Sequence, residues 1–328
     1  MTRLLVRLPL RLVPLVLLIG LCGCLSMDLR SLLAPELKEV VVADDGGRAK
    51  IALVSIQGFI GRDSSSPFDL VSDATPTDLK AVLNRIERDR DIRAVVLKID
   101  SPGGEVTASD MMYHEILSFK QRTGLPVFAS ICSMGCSGAY YIACAADQIY
   151  VHPTSIVGSI GVIARFPQIK KLADKIGYDQ VVIKSGKMKA MGDPFKEMAP
   201  EEQAIIQQAV DQMYGRFVQV VANGRRDLNE TDVRAIADGR IYTPMQAEKL
   251  GLVDGIAYLD GVLAKARTIV GLERARVIQY TYDDHPDINI YSGESRPPLP
   301  QVNVSVVDLE ADAFLGKSGF FYLWTPTQ

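Results

Sequence analysis

The segment SICSMGCSGAYYIACAAD, residues 130–147, holds the residue best placed for covalent chemistry. Ser137 lies where an apolar strand pattern gives way to an alanine-rich run, and Gly138 follows it. A serine nucleophile needs a sharp turn, a base, and donors for the developing oxyanion. A helix beginning at Gly138 would leave that N–H free to donate, because first-turn amides have no partner inside the helix. A Ser-Gly turn alone is more often structural, and Ala139 breaks the G-x-S-x-G pattern of hydrolase elbows.

A second candidate is IDSPGGEV, residues 99–106, in which a buried strand pattern ends in Ser-Pro-Gly-Gly. Such an ending presents backbone N–H groups at the carboxyl end of a strand, where ligands bind in parallel α/β sheets. Pro-Gly is also a common turn dipeptide, so the motif alone indicates only a turn. Together with Ser137 on the next strand-to-helix turn, it favours a site that stabilises an anion.

No histidine in the sequence has an evident partner that would make it the base for Ser137. Three histidines occur, and none has the sequence context of a Ser-His-Asp triad: His114, His152 and His285. Lysine can serve instead where burial lowers its pKa toward neutrality. The Gly- and Met-rich stretch at 181–200 offers Lys184, Lys187 and Lys189, and Lys189 has the most apolar sequence neighbours.

Strand and helix patterns alternate along most of the chain, which predicts an α/β architecture of crossover units. The apolar strand patterns include KIALVSIQGFI, IRAVVLKID, LPVFASI, IVGSIGVIA and YDQVVIKSG. The helix patterns include TPTDLKAVLNRIERD, EVTASDMMYHEILSFKQ and a long one that begins near Pro200. These elements must therefore position Ser137 and the Ser-Pro-Gly-Gly turn.

The amino-terminal end differs in composition from the rest. Residues 1–24 carry arginines, then a short apolar run, then small residues and cysteine, which is the layout of an export signal. The alternative is an uncleaved membrane anchor that extends to about Met27. The uncharged run is shorter than the roughly 20 residues that a bilayer span needs. Residues 25–47 are predicted to be a tether.

The remaining chain divides into a folded unit, residues 48–275, and a carboxyl-terminal stretch, residues 276–328. This last stretch begins as a linker rich in Pro, Asp and Ser and ends in FLGKSGFFYLWTPTQ, which contains the only tryptophan. Because an apolar tail is unfavourable in water, we expect it to dock on its own or a neighbouring subunit.

Composition excludes several classes of function. The net charge of −3 over 328 residues mixes both signs, and no basic block suggests a nucleic-acid partner. Two of the five cysteines lie in the export segment, and the other three are bunched without zinc-site spacing: Cys132, Cys136 and Cys144. They are predicted to be small core residues.

Five motifs carry a family resemblance: IDSPGG, SMGCSGAYYIACAAD, PTSIVGSIGV, IKSGKMKAMGDPF and GRIYTPMQAEKLGLVDGI, in this order. Together they resemble the signal peptide peptidase A family of serine-lysine proteases, in its short single-domain form, over about residues 48–270. The resemblance implies a Clp protease/crotonase-like spiral of β-β-α units. It also implies that residues 48–275 are the catalytic protease domain and that the chain forms a homo-oligomeric ring.

Roles carried over by position follow from the same resemblance. Ser137 is the nucleophile, Lys189 is the general base, and Ser159 hydrogen-bonds and orients that lysine. The N–H groups of Gly104 and Gly138 form the oxyanion hole. No metal or organic cofactor is needed.

The function that the resemblance implies is a membrane-associated serine endopeptidase. Its substrates would be remnant signal peptides and other hydrophobic membrane-derived peptides, with small or apolar side chains at the cleavage site. One alternative is a catalytically silent scaffold or binding partner of membrane proteins, since Ala139 stands where the family usually has glycine. The other is a crotonase-like acyl-coenzyme-A enzyme, which an export signal would separate from the coenzyme pool.

The segment LCGC, residues 21–24, resembles a bacterial lipobox. Cleavage before Cys24 and acylation there would anchor the chain, with the catalytic domain outside the cytoplasm in the bacterial cell envelope. An uncleaved helix remains the alternative anchor.

Overall fold

The computed structural model describes residues 37–61, 74–282, 288–292 and 319–324. Within these ranges, eleven strands form one sheet, whose main path has the order β1-β10-β2-β3-β4-β5-β9. The strands are β1 (Lys38–Asp44), β2 (Lys50–Ile60), β3 (Ile92–Glu105), β4 (Val127–Cys136), β5 (Gln148–Val151), β6 (Ile156–Gly158), β7 (Ile163–Arg165), β8 (Ile241–Tyr242), β9 (Gly255–Ile256), β10 (Arg276–Thr281) and β11 (Gly319–Leu323). The predicted mixed α/β class is confirmed.

Helices cover both faces of the central strands. They are α1 (Pro76–Arg88), α2 (Val106–Thr123), α3 (Gly138–Ala143), α4 (Lys170–Ile176), α5 (Pro200–Gly224), α6 (Glu230–Ile236), α7 (Pro244–Lys249) and α8 (Leu259–Ile269), with a 3₁₀ turn at Lys187–Ala190. No helix in the described ranges combines the length and apolar character needed to cross a membrane.

The continuous apolar run of β3 is explained by burial on both sides. Val95 and Leu97 face one core cluster, which includes residues of α1, α2, α3 and α5. Ala94 and Val96 face the other cluster, which includes the apolar side of α8. A parallel strand covered on both faces loses the usual alternation of polar and apolar residues.

β2, β3, β4 and β5 run parallel, so their carboxyl ends meet at one edge. At that edge β4 continues to Cys136 and pairs with β6, where Cys136 lies opposite Gly158. The Ser-Pro-Gly-Gly segment, residues 101–104, was expected to be a turn but lies within the end of β3, and the turn at Ser137 follows β4, so the sheet itself brings the two together.

Two segments differ from the sequence-based expectation, and a third, the aromatic tail, docks on its own chain, which is one of the two expected alternatives. Residues 38–44, within the stretch expected to be a tether, form β1 and pair antiparallel with β10. The strand pattern YDQVVIKSG forms no strand: within the described chain no neighbour pairs with it, and Val181 and Ile183 are 87% and 96% exposed. The aromatic end of the chain forms β11, docked on β3 and β7. The export-signal, lipobox and anchor predictions lie outside the described residues.

Candidate active site

Ser137 occupies a strained turn between β4 and α3. Its backbone has φ 54° and ψ −118°, a region that non-glycine residues seldom adopt. Its N–H donates to the Gly158 carbonyl over 2.7 Å, and its own carbonyl accepts from Tyr141 N–H, which starts the helix. Its side chain does not cap α3. Strain of this kind costs about 1–3 kcal/mol and is typical of functional turns.

The Ser-Pro-Gly-Gly segment at the end of β3, residues 101–104, lies directly against the start of α3. A Cβ on Gly103 would stand 2.7 Å from the Gly138 nitrogen, and a Cβ on Gly138 would stand 3.3 Å from the Gly104 nitrogen. A Cβ on Gly104 would collide with the Ile60 carbonyl on β2. Glycine is therefore required for this close approach, and the backbones of Gly104 and Gly138 lie side by side next to Ser137.

Ser159 lies on the same edge. It is the only other described non-glycine residue with a positive φ, at 49°, and it is buried. Its N–H donates to the Arg240 carbonyl over 2.7 Å. The preceding residue, Gly158, accepts the Ser137 N–H, so one chain segment holds both serines in their unusual conformations.

Lys189 is not brought to this edge within the chain. It lies in the 3₁₀ turn, is exposed, and within the described residues makes no hydrogen bond to Ser137 or Ser159. The neighbouring Lys187 forms an ion pair with Glu201, and Lys184 donates to the Lys187 carbonyl. The apolar sequence neighbours of Lys189 therefore do not bury it in a single copy of the chain.

Other nucleophiles and bases are excluded by their surroundings. Burial raises the pKa of the Cys136 thiol to about 12, and that of Cys144 to about 12 as well. The described histidines bond elsewhere: His114 with Ser118, and His152 with Thr154. Neither imidazole can serve Ser137.

Ala139 fits its position. It lies in α3 and is fully buried. It is not one of the two described non-glycine residues that have a positive φ. A Cβ is therefore accommodated, and the departure from glycine does not distort the turn.

A polar network that the sequence did not reveal supports the helix after Ser137. The Tyr141 hydroxyl donates to Asp110 on α2, and Arg216 on α5 donates to the same carboxylate over 3.1 Å. The pKa of Tyr141 is raised well above its usual value, mainly by burial and in addition by the Asp110 carboxylate. These partners are far apart in the chain, so no local motif could have identified them.

A groove of about 620 Å³ opens beside Ser159. Its lining includes Val162, Tyr214 and Leu323, together with the carboxylates Asp211 and Asp238. It runs along β7, which makes this side of the site accessible to an extended chain.

Comparison with known proteins identifies a family. Peptidase family S49 matches residues 119–273. A putative signal peptide peptidase SppA of Enterococcus faecium is 32% identical over 248 residues, which cover 76% of this chain and 72% of the relative.

The chain belongs to the signal peptide peptidase A, or S49, family of peptidases. A putative protease of Synechocystis, slr0021, is 35% identical over 239 residues, which cover 72% of this chain and 80% of that protein. Protease 4 of Haemophilus influenzae is 30% identical over 230 residues, but the match covers only 36% of that longer protein. The predicted family is thus confirmed, and the mixed α/β architecture is consistent with its Clp protease/crotonase-like fold.

Proposed function

We propose that the chain is a serine endopeptidase in which Ser137 is the nucleophile. The observation that carries the proposal is the left-handed conformation of Ser137 at the start of α3, against Gly104 and Gly138. A strained strand-to-helix turn presents a serine to substrate, and two adjacent backbone N–H groups suit a tetrahedral oxyanion.

In the proposed mechanism Lys189 is the base. Its neutral amine takes the Ser137 proton as Oγ attacks the peptide carbonyl, and the same proton then passes to the leaving amine. Water activated by Lys189 releases the acyl-enzyme. Ser159 orients the lysine by a hydrogen bond, while the Gly104 and Gly138 N–H groups stabilise the oxyanion.

Lys189 has to come from a neighbouring copy of the chain in this proposal. The exposed position of Lys189 and the exposed apolar residues just before it, Val181 and Ile183, support such an arrangement. An apolar strand pattern without a partner is a surface suited to pairing with another chain. A homo-oligomeric ring would complete one site at each interface.

The proposed substrates are remnant signal peptides and other hydrophobic membrane-derived peptides; the name of one relative, a putative signal peptide peptidase, supports signal peptides as the substrate class. We propose a location in the bacterial cell envelope, with Cys24 acylated and the catalytic domain outside the cytoplasm. Mass spectrometry of the mature protein tests the anchor, since an unmodified chain that begins near Met1 would contradict it.

Fluorophosphonate labelling and peptide hydrolysis test the catalytic assignment. Ser137→Ala should abolish labelling, and Ser137→Ala and Lys189→Ala should each lower kcat by about 10⁴-fold, because dyad members act as a unit. Ser159→Ala should cost about tenfold to 100-fold through the misplaced lysine. Lys184→Ala, on the same loop, is the matched control and should remain active. Loss of activity in Lys184→Ala but not in Lys189→Ala would refute the base.

A further inference from the structure

Lys189, the proposed base, lies on a loop that has little packing of its own. The 3₁₀ turn that carries it, Lys187–Ala190, has no buried residue at any of its four described positions. Further along the loop, a groove of about 880 Å³ is lined by Ala164, Lys171 and Met198, so this part of the loop borders open space rather than a packed core. Polar contacts therefore have a large share in fixing where the loop stands.

Turn hydrogen bonds make the loop from Gly186 to Lys196 a continuous unit. Lys189 N–H donates to the Gly186 carbonyl over 3.1 Å, which closes the 3₁₀ turn. Asp193 N–H then donates to the Ala190 carbonyl over 3.3 Å, and Lys196 N–H donates to the Asp193 carbonyl over 3.4 Å. A shift of Lys196 is therefore passed back along the loop to Lys189.

Glu202, on the first turn of α5, holds the far end of this unit. It is 3% exposed, and both of its carboxylate oxygens accept from the Lys196 ammonium over 2.5 Å. The same carboxylate accepts from the Ala199 N–H over 3.2 Å, which caps the helix. These two donors, Lys196 ahead of Ala199, lower the pKa of Glu202. Because α5 is anchored in the core by Phe217 and Val221, Glu202 ties the loop to a rigid element.

The other contacts of the loop differ in kind from this buried pair. Lys187 pairs with Glu201, but both side chains are largely exposed, and exposed pairs contribute little. Ile169 N–H, at the start of α4, donates to the Pro194 carbonyl over 2.8 Å, a neutral contact that a substitution at Glu202 does not remove. Glu201 and Glu202 are adjacent on one helix, so the exposed pair supplies a matched control for the buried one.

We infer that Glu202 is a positioning residue for the base: through Lys196 it sets where Lys189 stands at the interface with the neighbouring copy. This inference rests on the proposed function. A misplacement of a reacting group by about 1 Å can cost about 100-fold in rate, so a loop without a packed base needs such an anchor. Glu202 and Lys189 belong to the same copy, and the effect of Glu202 is therefore confined to the copy that supplies the lysine.

Steady-state kinetics of the full-length protein give the first test. Glu202→Gln keeps the helix cap, since glutamine can take the same capping role, but it removes the charge that holds Lys196. The kcat for peptide hydrolysis should fall about tenfold, while KM changes by less than about twofold because Ser137 and the peptide groove are untouched. Lys196→Met should show the same loss, and Lys196→Arg, which can still pair with a carboxylate, should keep most of the activity.

Glu201→Gln is the control for these measurements. It removes the exposed pair with Lys187 on the same helix turn, and its kcat should stay within about twofold of that of the unmodified protein. Unchanged kcat in both Glu202→Gln and Lys196→Met would overturn the inference. An equal loss of kcat in Glu201→Gln would also overturn it, because the buried pair would then have no special role.

Mixed rings give a readout that a general loss of stability would not move. In rings of Ser137→Ala and Lys189→Ala copies, the productive interfaces take their lysine from the first copy and their serine from the second. Glu202→Gln is added to the Ser137→Ala copy in one mixture and to the Lys189→Ala copy in the other. Recovered hydrolysis should fall about tenfold in the first mixture and stay unchanged in the second. Equal losses in the two mixtures would refute a positioning role.

The two proposals fail differently. If Lys189→Ala is inactive but Glu202→Gln keeps full kcat, only the positioning role fails and the base stands. If Lys189→Ala is fully active, the base assignment and this inference fail together. If the mixed rings are inactive, the shared site fails, and the kcat of Glu202→Gln and Lys196→Met in uniform protein decides the role of Glu202.

Discussion

Cys136 and Ser137 are adjacent residues that are both buried, at 0% and 1% exposed, but their contacts differ. The Cys136 side chain points into the core, where its sulfur lies 3.7 Å from the Ile156 carbonyl, and burial raises its thiol pKa to about 12. The thiolate is the reactive form, so a thiol with a pKa this high stays protonated and unreactive near neutral pH. The serine, by contrast, is held at the turn by its bond to Gly158.

Cys136→Ala should therefore leave peptide hydrolysis intact. The expected cost is about 1 kcal/mol of unfolding free energy for the lost sulfur, measured by urea denaturation. N-ethylmaleimide at pH 8 should not inactivate the enzyme, whereas fluorophosphonate should. A dead Cys136→Ala together with an active Ser137→Ala would show that the wrong nucleophile has been assigned.

At the scale of elements, Arg225 joins the end of α5 to the sheet. Its guanidinium donates to both oxygens of Asp254, over 2.7 and 2.9 Å, and to the Gly251 carbonyl. Asp254 in turn accepts from Ile149 N–H on β5. Arg225 is 6% exposed and the Asp254 side chain is 33% exposed, so this pair connects helix, loop and strand at the edge of the core. Phe217, whose ring packs against those of Tyr141 and Tyr322, lies on the same helix.

Arg225→Ala should lower the free energy of unfolding by about 2 kcal/mol, since it removes the cation paired with Asp254 and the donor to the Gly251 carbonyl. Urea denaturation measures this loss. Arg122→Ala breaks an ion pair of similar geometry with Glu87, but one at the surface, and should cost less than about 1 kcal/mol. Equal losses in the two variants would contradict the role given to burial.

At the scale of the whole molecule, no hydrogen bond links Lys189 to Ser137 within the described residues of a single copy, so the proposed dyad is incomplete there. The described chain leaves Lys189 exposed and the apolar pattern before it unpaired. Both features are accounted for if a second copy covers this surface, because the same contact would bury apolar side chains and deliver the lysine amine.

Mixing two inactive variants tests that account. In rings assembled at random from equal amounts of Ser137→Ala and Lys189→Ala, about a quarter of interfaces would combine an intact serine with an intact lysine. Hydrolysis should recover to about that fraction of normal activity. Tags on each variant allow mixed rings to be purified before the assay, and inactive mixed rings would mean that each subunit needs both residues itself.

The sequence by itself determined the local features. Strand periodicity and glycine placement identified the strand-to-helix turn at Ser137, which depends on residues adjacent in the chain, whereas Gly103 and Gly104, expected in a turn, lie within β3. The order of the motifs indicated the peptidase family. Sequence also indicated that the aromatic tail would dock, because free apolar residues are unfavourable in water.

Only the tertiary structure decided where these features meet. The distance between Gly104 and Gly138 depends on the register of β3 with β4, and the position of Tyr322 depends on pairing across more than 200 residues. The pattern at YDQVVIKSG has strand periodicity but forms no strand, since a strand needs a hydrogen-bonding neighbour and the described chain offers none there. Pairing partners are non-local, and a local pattern of residues does not specify them.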